Sequence, residues 1–318
     1  MSDAGDTRTI GVVLSPDEQA AFPQALEAAV ARAGRPLTVV PDAAPAEVDY
    51  LVWNVDSGVT DFAPYTRLRA ILNTWAGVEG VVGRVSWPRH VPLVRMVEPG
   101  MNEGMAEYFC AHALRYHLDI DRAQAQSAKG VWQKWEPPLA RDRTVGILGL
   151  GTLGRATAAM LRPFGFRLLG WSRTQKELPG VDCRHGASGL DEVLGRAEIL
   201  IVILPLTPST ENLLDARRLS LLPRGACLIN AGRGALIDEQ ALLDALADGR
   251  LRHATLDVFR AEPLPPDHPF WRHPGITVTP HIAAITRTGT AAEAIIAQIG
   301  RDLDSLGLSH VVDPARGY

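Results

Sequence analysis

At 318 residues, 46% hydrophobic and 21% charged, the chain is long enough for two domains with separate cores and too apolar for intrinsic disorder. Its net charge of −4, with no run of lysine or arginine, lacks the footprint of a nucleic-acid binder and leaves a small molecule as the expected partner. Cys110, Cys183 and Cys227 stand singly without CxxC spacing, the opening MSDAGDTRTIGVVLS does not read as a leader, and no stretch approaches the roughly 20 apolar residues of a membrane span, so a cytoplasmic protein without metal is expected.

Short β-branched apolar runs alternate with helical patterns from end to end, the signature of parallel sheets made from βαβ units. In the first part, strands are expected at TIGVVLS from Thr9, LTVV from Leu37, YLVW from Tyr50, LRAILN from Leu68 and PLVRMV from Pro92. No glycine-rich turn follows the first of them, so this part is not expected to hold a dinucleotide. From Asn102 a helix places Ala106, Phe109, Cys110, Ala113, Leu114 and His117 on one face. Polar, proline-containing sequence from Gln124 to Arg143 separates it from the next strand.

A second series follows: TVGILG at Thr144, FRLLGWS at Phe166, ILIVILP at Ile199, ACLINAG at Ala226, ATLDVF at Ala254 and ITVTP at Ile276. These near-continuous apolar runs suit strands buried on both faces. Pro163 should bend or shorten the end of the first helix in this series. Asp238 can cap a helix bearing Leu242, Leu243, Ala245 and Leu246 that stops at Gly249, and a last helix is expected from about Thr290 to Leu306.

The first turn of this series is GLGTLG, Gly149 to Gly154, which follows a strand and opens a helix as the dinucleotide fingerprint requires. Gly149 permits the tight turn, Gly151 the approach of the backbone to a pyrophosphate, and Gly154 the packing of helix on strand, with the helix start at Thr152 and Leu153 facing the phosphates. About twenty residues on, where a ribose-binding Asp or Glu is usual, stand Ser172 and Arg173. A guanidinium grips phosphate oxygens through charge-assisted bonds, so the expected cofactor is NADP(H), with Lys176 adding positive charge nearby.

Arg233 in INAGRGALID, Glu262 in LDVFRAEPLP and His281 in VTPHIAAIT each follow a strand end, where open α/β sheets bind ligands. Together they suit the reduction of a keto carbon. Histidine gives the proton, a carboxylate on the other imidazole nitrogen fixes the tautomer and keeps it charged, and arginine holds the substrate's carboxylate and keto oxygen. The same strand-end turns offer Leu204, Pro205, Ala231, Gly232, Asp257 and His281 as further cofactor contacts.

NAGRG, DVFRAEPLPPDHPFW and TPHIAAITR resemble the D-isomer-specific 2-hydroxyacid dehydrogenase family, and WSRTQK with the tail VVDPARGY is most similar to its glyoxylate/hydroxypyruvate reductase A branch. The resemblance implies an α/β chain of two doubly wound parallel-sheet domains. It implies a Rossmann coenzyme domain, 101–288, inserted into a flavodoxin-like substrate domain built from 1–100 and 289–318, and a homodimer. It implies Arg233 as substrate binder, Glu262 as the orienting carboxylate and His281 as acid/base in an NADPH-dependent reduction of short 2-keto acids such as glyoxylate or hydroxypyruvate. It further implies that NTWAGVEG, Asn73 to Gly80, binds the substrate carboxylate through backbone N–H groups. Ala76, Gly77 and Val78 fit that pattern, whereas Trp75 stands where the family has a small residue. Trp53 matches a branch tryptophan that lines the pocket. Each tryptophan has a second reading as core. Two other functions stay open: an NAD-dependent D-2-hydroxyacid dehydrogenase on another substrate, against which Arg173 speaks, and a dinucleotide-sensing binding protein of the same fold.

Overall fold

The computed structural model describes residues 7–78, 81 and 85–313. The first six residues, Glu79, Gly80 and the tail after Asp313, all quoted above, lie outside the described residues. The chain divides into two compact units, one made of Met1–Met101 with Thr286–Tyr318 and the other of Asn102–Ile285.

In the first unit β1 (Arg8–Val13), α1 (Pro16–Gln19), α2 (Phe22–Ala33), β2 (Leu37–Val40), β3 (Tyr50–Trp53), β4 (Ala70–Asn73) and β5 (Leu93–Val94) follow one another. The strands lie in the order β2-β1-β3-β4-β5, all parallel, which is the flavodoxin-like winding. β3 and β4 are buried along their whole length, which is why YLVW and AILN show no polar alternation. α2 buries Phe22, Leu26 and Ala29, one helical face, and ends at Gly34 with φ 61°.

α3 (Pro99–His117) leads the chain into the second unit, which continues through α4 (Ile120–Ala128), β6 (Thr144–Leu148), α5 (Thr152–Leu161), β7 (Arg167–Ser172), β8 (Val181–His185) and α6 (Gly186–Arg196). β9 (Ile199–Val202), α7 (Ala216–Leu221), β10 (Ala226–Asn230), α8 (Glu239–Ala247), β11 (Leu251–Leu256) and β12 (Ile276–Val278) complete it. The order β12-β11-β10-β9-β6-β7-β8, parallel throughout, is the Rossmann winding with its switch point between β6 and β9. Along β9, Leu200 and Val202 join one apolar cluster while Ile199 and Ile201 join another. Both faces of the sheet are therefore covered, and α3 lays Phe109, Ala113 and Tyr116 into the second cluster. The chain then returns to the first unit as α9 (Thr288–Leu303), which buries Ala291, Ile295 and Ile299 and pairs its Glu293 with Arg32 of α2 at 2.9 Å.

β8 has no counterpart among the expected strands, because VDCRH is an edge strand without one fully buried residue. α4 runs to Ala128, past Gln124, where separating polar sequence is expected; it buries nothing, so no apolar period marks it. Pro163 acts as expected: α5 stops at Leu161, and Arg162–Phe164 is a single 3-10 turn. Among the described residues no helix is long and apolar enough to cross a membrane.

Candidate active site

The glycine turn joins β6 to α5. Gly149 sits at φ 110°, and a Cβ there would stand 2.2 Å from the Ile203 carbonyl oxygen; at Gly154 it would stand 1.8 Å from the Gly149 carbonyl oxygen. Only glycine lets the helix close so tightly behind the turn. At Gly151, by contrast, a Cβ would meet nothing within 4 Å. The α5 N-terminus at Thr152 and Leu153 has no side-chain cap, so its first N–H groups fit a pyrophosphate in that open space. The Gly149 N–H donates to the Trp171 carbonyl at 2.9 Å, tying the turn to the end of β7.

One residue on, Ser172 is buried and its hydroxyl donates to the Thr174 carbonyl at 2.7 Å. Its proton is committed to shaping the turn. Arg173 is exposed on that turn and Lys176 half-buried. After β9, Leu204 is buried and Pro205 exposed, and after β10, Ala231 and Gly232 are buried.

Arg233, Glu262 and His281 follow β10, β11 and β12. Asn230 closes the first of these turns, accepting from the Gly232 N–H at 3.1 Å and donating to the Arg233 carbonyl at 3.0 Å. Arg233 Nη1 donates to the Gly232 carbonyl at 2.7 Å. Gly234 lets this turn press on the one after β11, since a Cβ there would fall 2.1 Å from the Phe259 carbonyl carbon. The Phe259 N–H donates to Glu262 Oε1 at 2.8 Å, and Glu262 Oε2 lies 2.7 Å from His281 Nδ1. That bond to Glu262 holds the His281 pKa above its ordinary value against the opposing effect of burial; the charges of Glu262 and Asp257 add to it and that of Arg233 opposes it. Burial pushes the Glu262 carboxyl up, but its bonds to His281 and Phe259, with the Arg233 charge, carry it below the usual range. The His281 side chain is 53% exposed. A charged imidazole with Nδ1 engaged has Nε2 left to give a proton.

Asp257 is buried, and its carboxylate accepts from Thr279 Oγ1 at 2.6 Å and from the Ile282 and Ala283 N–H groups at 2.9 Å each. Of the about four acceptor positions of a carboxylate, these donors take three. Its first task is to hold the segment that carries His281.

In the first unit Trp53 is fully buried, with its ring 5.5 Å from that of Phe62 and Nε1 donating to the Val59 carbonyl at 3.0 Å. It is a core side chain, and the pocket-lining expectation is corrected. Trp75 is half-buried. Its Nε1 donates to Glu18 Oε1 at 3.2 Å, and its carbonyl accepts from Asn73 Nδ2 and the Met96 N–H, both at 3.0 Å. Ala76 and Gly77 are half-exposed behind it, and Val78 is buried. Asn230, Glu18 and the clamping role of Asp257 escape the sequence reading. The first and last have a signal in that each is a polar residue closing an apolar strand; Glu18, in a one-turn helix, has none.

The family profile described as D-isomer specific 2-hydroxyacid dehydrogenase, NAD binding domain, matches residues 110–283. A glyoxylate/hydroxypyruvate reductase A of Yersinia enterocolitica is 40% identical over 281 residues, 85% of this chain and 88% of that one. The protein of the same name from Serratia proteamaculans is 40% identical over 257 residues, 79% and 82% of the two chains. A D-isomer specific 2-hydroxyacid dehydrogenase from Xanthobacter autotrophicus, solved in complex with NADPH and MES, is similar with a TM-score of 0.90 at 38% identity, covering 98% of this chain and 100% of that one. The NADPH-dependent glyoxylate/hydroxypyruvate reductase of Sinorhizobium meliloti, solved with NADP and sulfate, gives 0.86 at 35% identity with 98% and 100% coverage. With an acid and a histidine hydrogen-bonded at the strand ends and relatives of this likeness along its length, the chain belongs to the D-isomer specific 2-hydroxyacid dehydrogenase family, in its glyoxylate/hydroxypyruvate reductase A branch.

Proposed function

We propose that this protein reduces short 2-keto acids, glyoxylate and hydroxypyruvate among them, to 2-hydroxy acids at the expense of NADPH. The observation that carries the reading is the half-exposed His281 bonded to Glu262 at 2.7 Å, a bond that raises the pKa of the imidazole. NADPH supplies the hydride that reaches the keto carbon. His281 delivers a proton from Nε2 to the keto oxygen, since Nδ1 is committed to Glu262. The planar fork of Arg233 holds the substrate carboxylate and polarises the keto oxygen before the proton arrives. The turn from Gly149 to Gly154 takes the pyrophosphate, Arg173 with Lys176 grips the 2′-phosphate, and Leu204, Pro205, Ala231 and Gly232 flank the cofactor. In the first unit the N–H groups of Ala76 and Gly77 serve the substrate carboxylate and Trp75 limits its size. The unit Asn102–Ile285 is thus the coenzyme domain and the other the substrate domain. The pair of Glu262 and His281 favours an enzyme over a dinucleotide sensor, and Arg173 favours NADPH over NADH.

The working form is a cytoplasmic homodimer. Three unpaired cysteines suit a reducing compartment, and Leu118, Ile120, Val131, Leu139 and the 91% exposed Trp132 supply apolar surface for a second copy. Sedimentation of Trp132→Asp should show monomer where the parent shows dimer.

The test of the reading is turnover of glyoxylate and hydroxypyruvate with NADPH and NADH separately. NADPH should be preferred, and Arg173→Asp should cut kcat/KM for NADPH by about 30-fold, or ~2 kcal/mol, by removing a charge-assisted contact and adding repulsion. Equal use of both cofactors by the unmodified protein overturns it.

A further inference from the structure

We propose that Tyr108 and Thr279 are positioning residues for the His281 acid, acting through the buried carboxylate of Asp257; the proposal rests on His281 being the proton donor of the reaction above. His281 has φ 54°, a left-handed backbone that a residue with a side chain adopts only when its surroundings impose it. Asp257 imposes it from both ends of its own residue. Its backbone carbonyl accepts from the His281 N–H at 2.9 Å, and its side chain takes the next two N–H groups, of Ile282 and Ala283, at 2.9 Å each. Three consecutive backbone donors are therefore aimed at one residue, and the imidazole is carried on the first of them.

What fixes the Asp257 carboxylate is a chain of hydroxyls. Thr279 Oγ1 donates its one proton to Asp257 Oδ1 at 2.6 Å, so toward Tyr108 it has only lone pairs to offer. The Tyr108 hydroxyl, 2.7 Å away, is consequently the donor. Burial pushes the Tyr108 pKa up, so the phenol keeps its proton. Its ring is seated on α3 against His112, with centroids 4.5 Å apart, and edge-on to Phe109. Tyr108 thus anchors to a long helix a network that ends on the backbone of the acid. Neither Tyr108 nor Thr279 has a part in binding or in the proton transfer itself.

The experiment is steady-state kinetics of Thr279→Val, Thr279→Ser and Tyr108→Phe, with thermal unfolding of each. Thr279→Val and Tyr108→Phe should lower kcat for glyoxylate by roughly threefold to tenfold, the scale of one hydrogen bond, with the KM for NADPH changed less than twofold. Thr279→Ser, which keeps the hydroxyl, should restore kcat, and the double variant Tyr108→Phe with Thr279→Val should be no slower than Thr279→Val alone. Unchanged kcat in both single variants, or a loss that tracks only the fraction unfolded, overturns the proposal. If the parent protein fails to turn over glyoxylate, the functional reading is at fault, and the positioning role is then read from the His281 Nδ1–H resonance. That signal should broaden in Thr279→Val and stay sharp in Thr279→Ser; a sharp signal in both overturns the role.

Discussion

Both sheets close their strands with polar residues, yet the two sets behave differently. At the ends of β3 and β4, Asn54, Asn73 and Thr74 are buried, and two of them, with Trp75, converge on Glu18: Asn54 Nδ2 and Thr74 Oγ1 each reach its Oε2 at 2.8 Å. At the ends of β10 and β11, Asn230 and Asp257 are equally buried, but their hydrogen bonds go outward along the chain, to the turn of Arg233 and the segment of His281. The first arrangement turns its donors inward on one carboxylate; the second uses its polar groups to hold other polar groups partly exposed. A polar residue at the end of a parallel strand is thus first a piece of scaffolding, and the residues proposed to do the chemistry sit a few positions further on.

The most severe way to break this contrast is to remove the group the second scaffold presents. His281→Ala should lower kcat for glyoxylate by roughly 10²- to 10⁴-fold, the usual range for a general acid, while the dissociation constant for NADPH stays within a fewfold of the parent value. Stopped-flow turnover and fluorescence titration read the two quantities apart. Loss of NADPH binding in step with rate would make His281 a scaffold residue like those of the first sheet.

How much of this was legible depends on which physical signal each residue leaves in sequence. The central strands of both sheets are buried on two faces and announce themselves as apolar runs, and Gly149 and Gly154 announce a turn that nothing but glycine fits, with Gly151 leaving open space between them. Glu262 and His281 come forward because an acid and a histidine after strand ends are a recognisable chemical set. β8 stays silent because an edge strand needs no apolar face, and Trp53 misleads because a tryptophan is at home in a core as well as at a pocket wall. Ser172 shows a further kind of silence. Its type suits a phosphate, but its proton is taken by the Thr174 carbonyl, and pairings of that kind are fixed only when the chain has folded.

The first scaffold is tested through its largest member. Trp53→Ala removes a fully buried indole packed on Phe62, and truncation of a buried aromatic of this size costs roughly 3–5 kcal/mol of stability. Denaturant unfolding should show that loss, with the relative rates on glyoxylate and larger keto acids unchanged among molecules that remain folded. A shifted substrate ratio without loss of stability would return Trp53 to the pocket.

A milder probe of the second scaffold changes charge and leaves shape. Glu262 raises the His281 pKa through its hydrogen bond and its charge; with His281 as the proposed proton donor, activity should be present below that pKa and lost as pH rises through it. Glu262→Gln removes the charge, the imidazole gives up its proton at lower pH, and the alkaline limb of the reduction profile should move down. A limb that stays in place, in a variant that still folds, would show that another group holds the proton on His281.

The smallest effect is expected at Trp75, where the two kinds of region meet in one residue. Its carbonyl is fixed by Asn73 and Met96 as scaffolding, while its indole is only half-buried and is steadied by one bond to Glu18 at 3.2 Å. If the indole limits the substrate, Trp75→Gly should raise kcat/KM for phenylpyruvate relative to glyoxylate, by an amount bounded by the about 1–3 kcal/mol per methylene that apolar pocket contacts discriminate. Glu18→Gln should move the same ratio in the same direction by less. An amide puts one donor among the three that point at this carboxylate, from Asn54, Thr74 and Trp75, and so loosens the indole without deleting it. Because Trp75 is half-buried, Trp75→Gly should also destabilise the fold less than Trp53→Ala does. An unchanged substrate ratio together with a stability loss as large as that of Trp53→Ala would place Trp75 wholly with the scaffold of the first sheet.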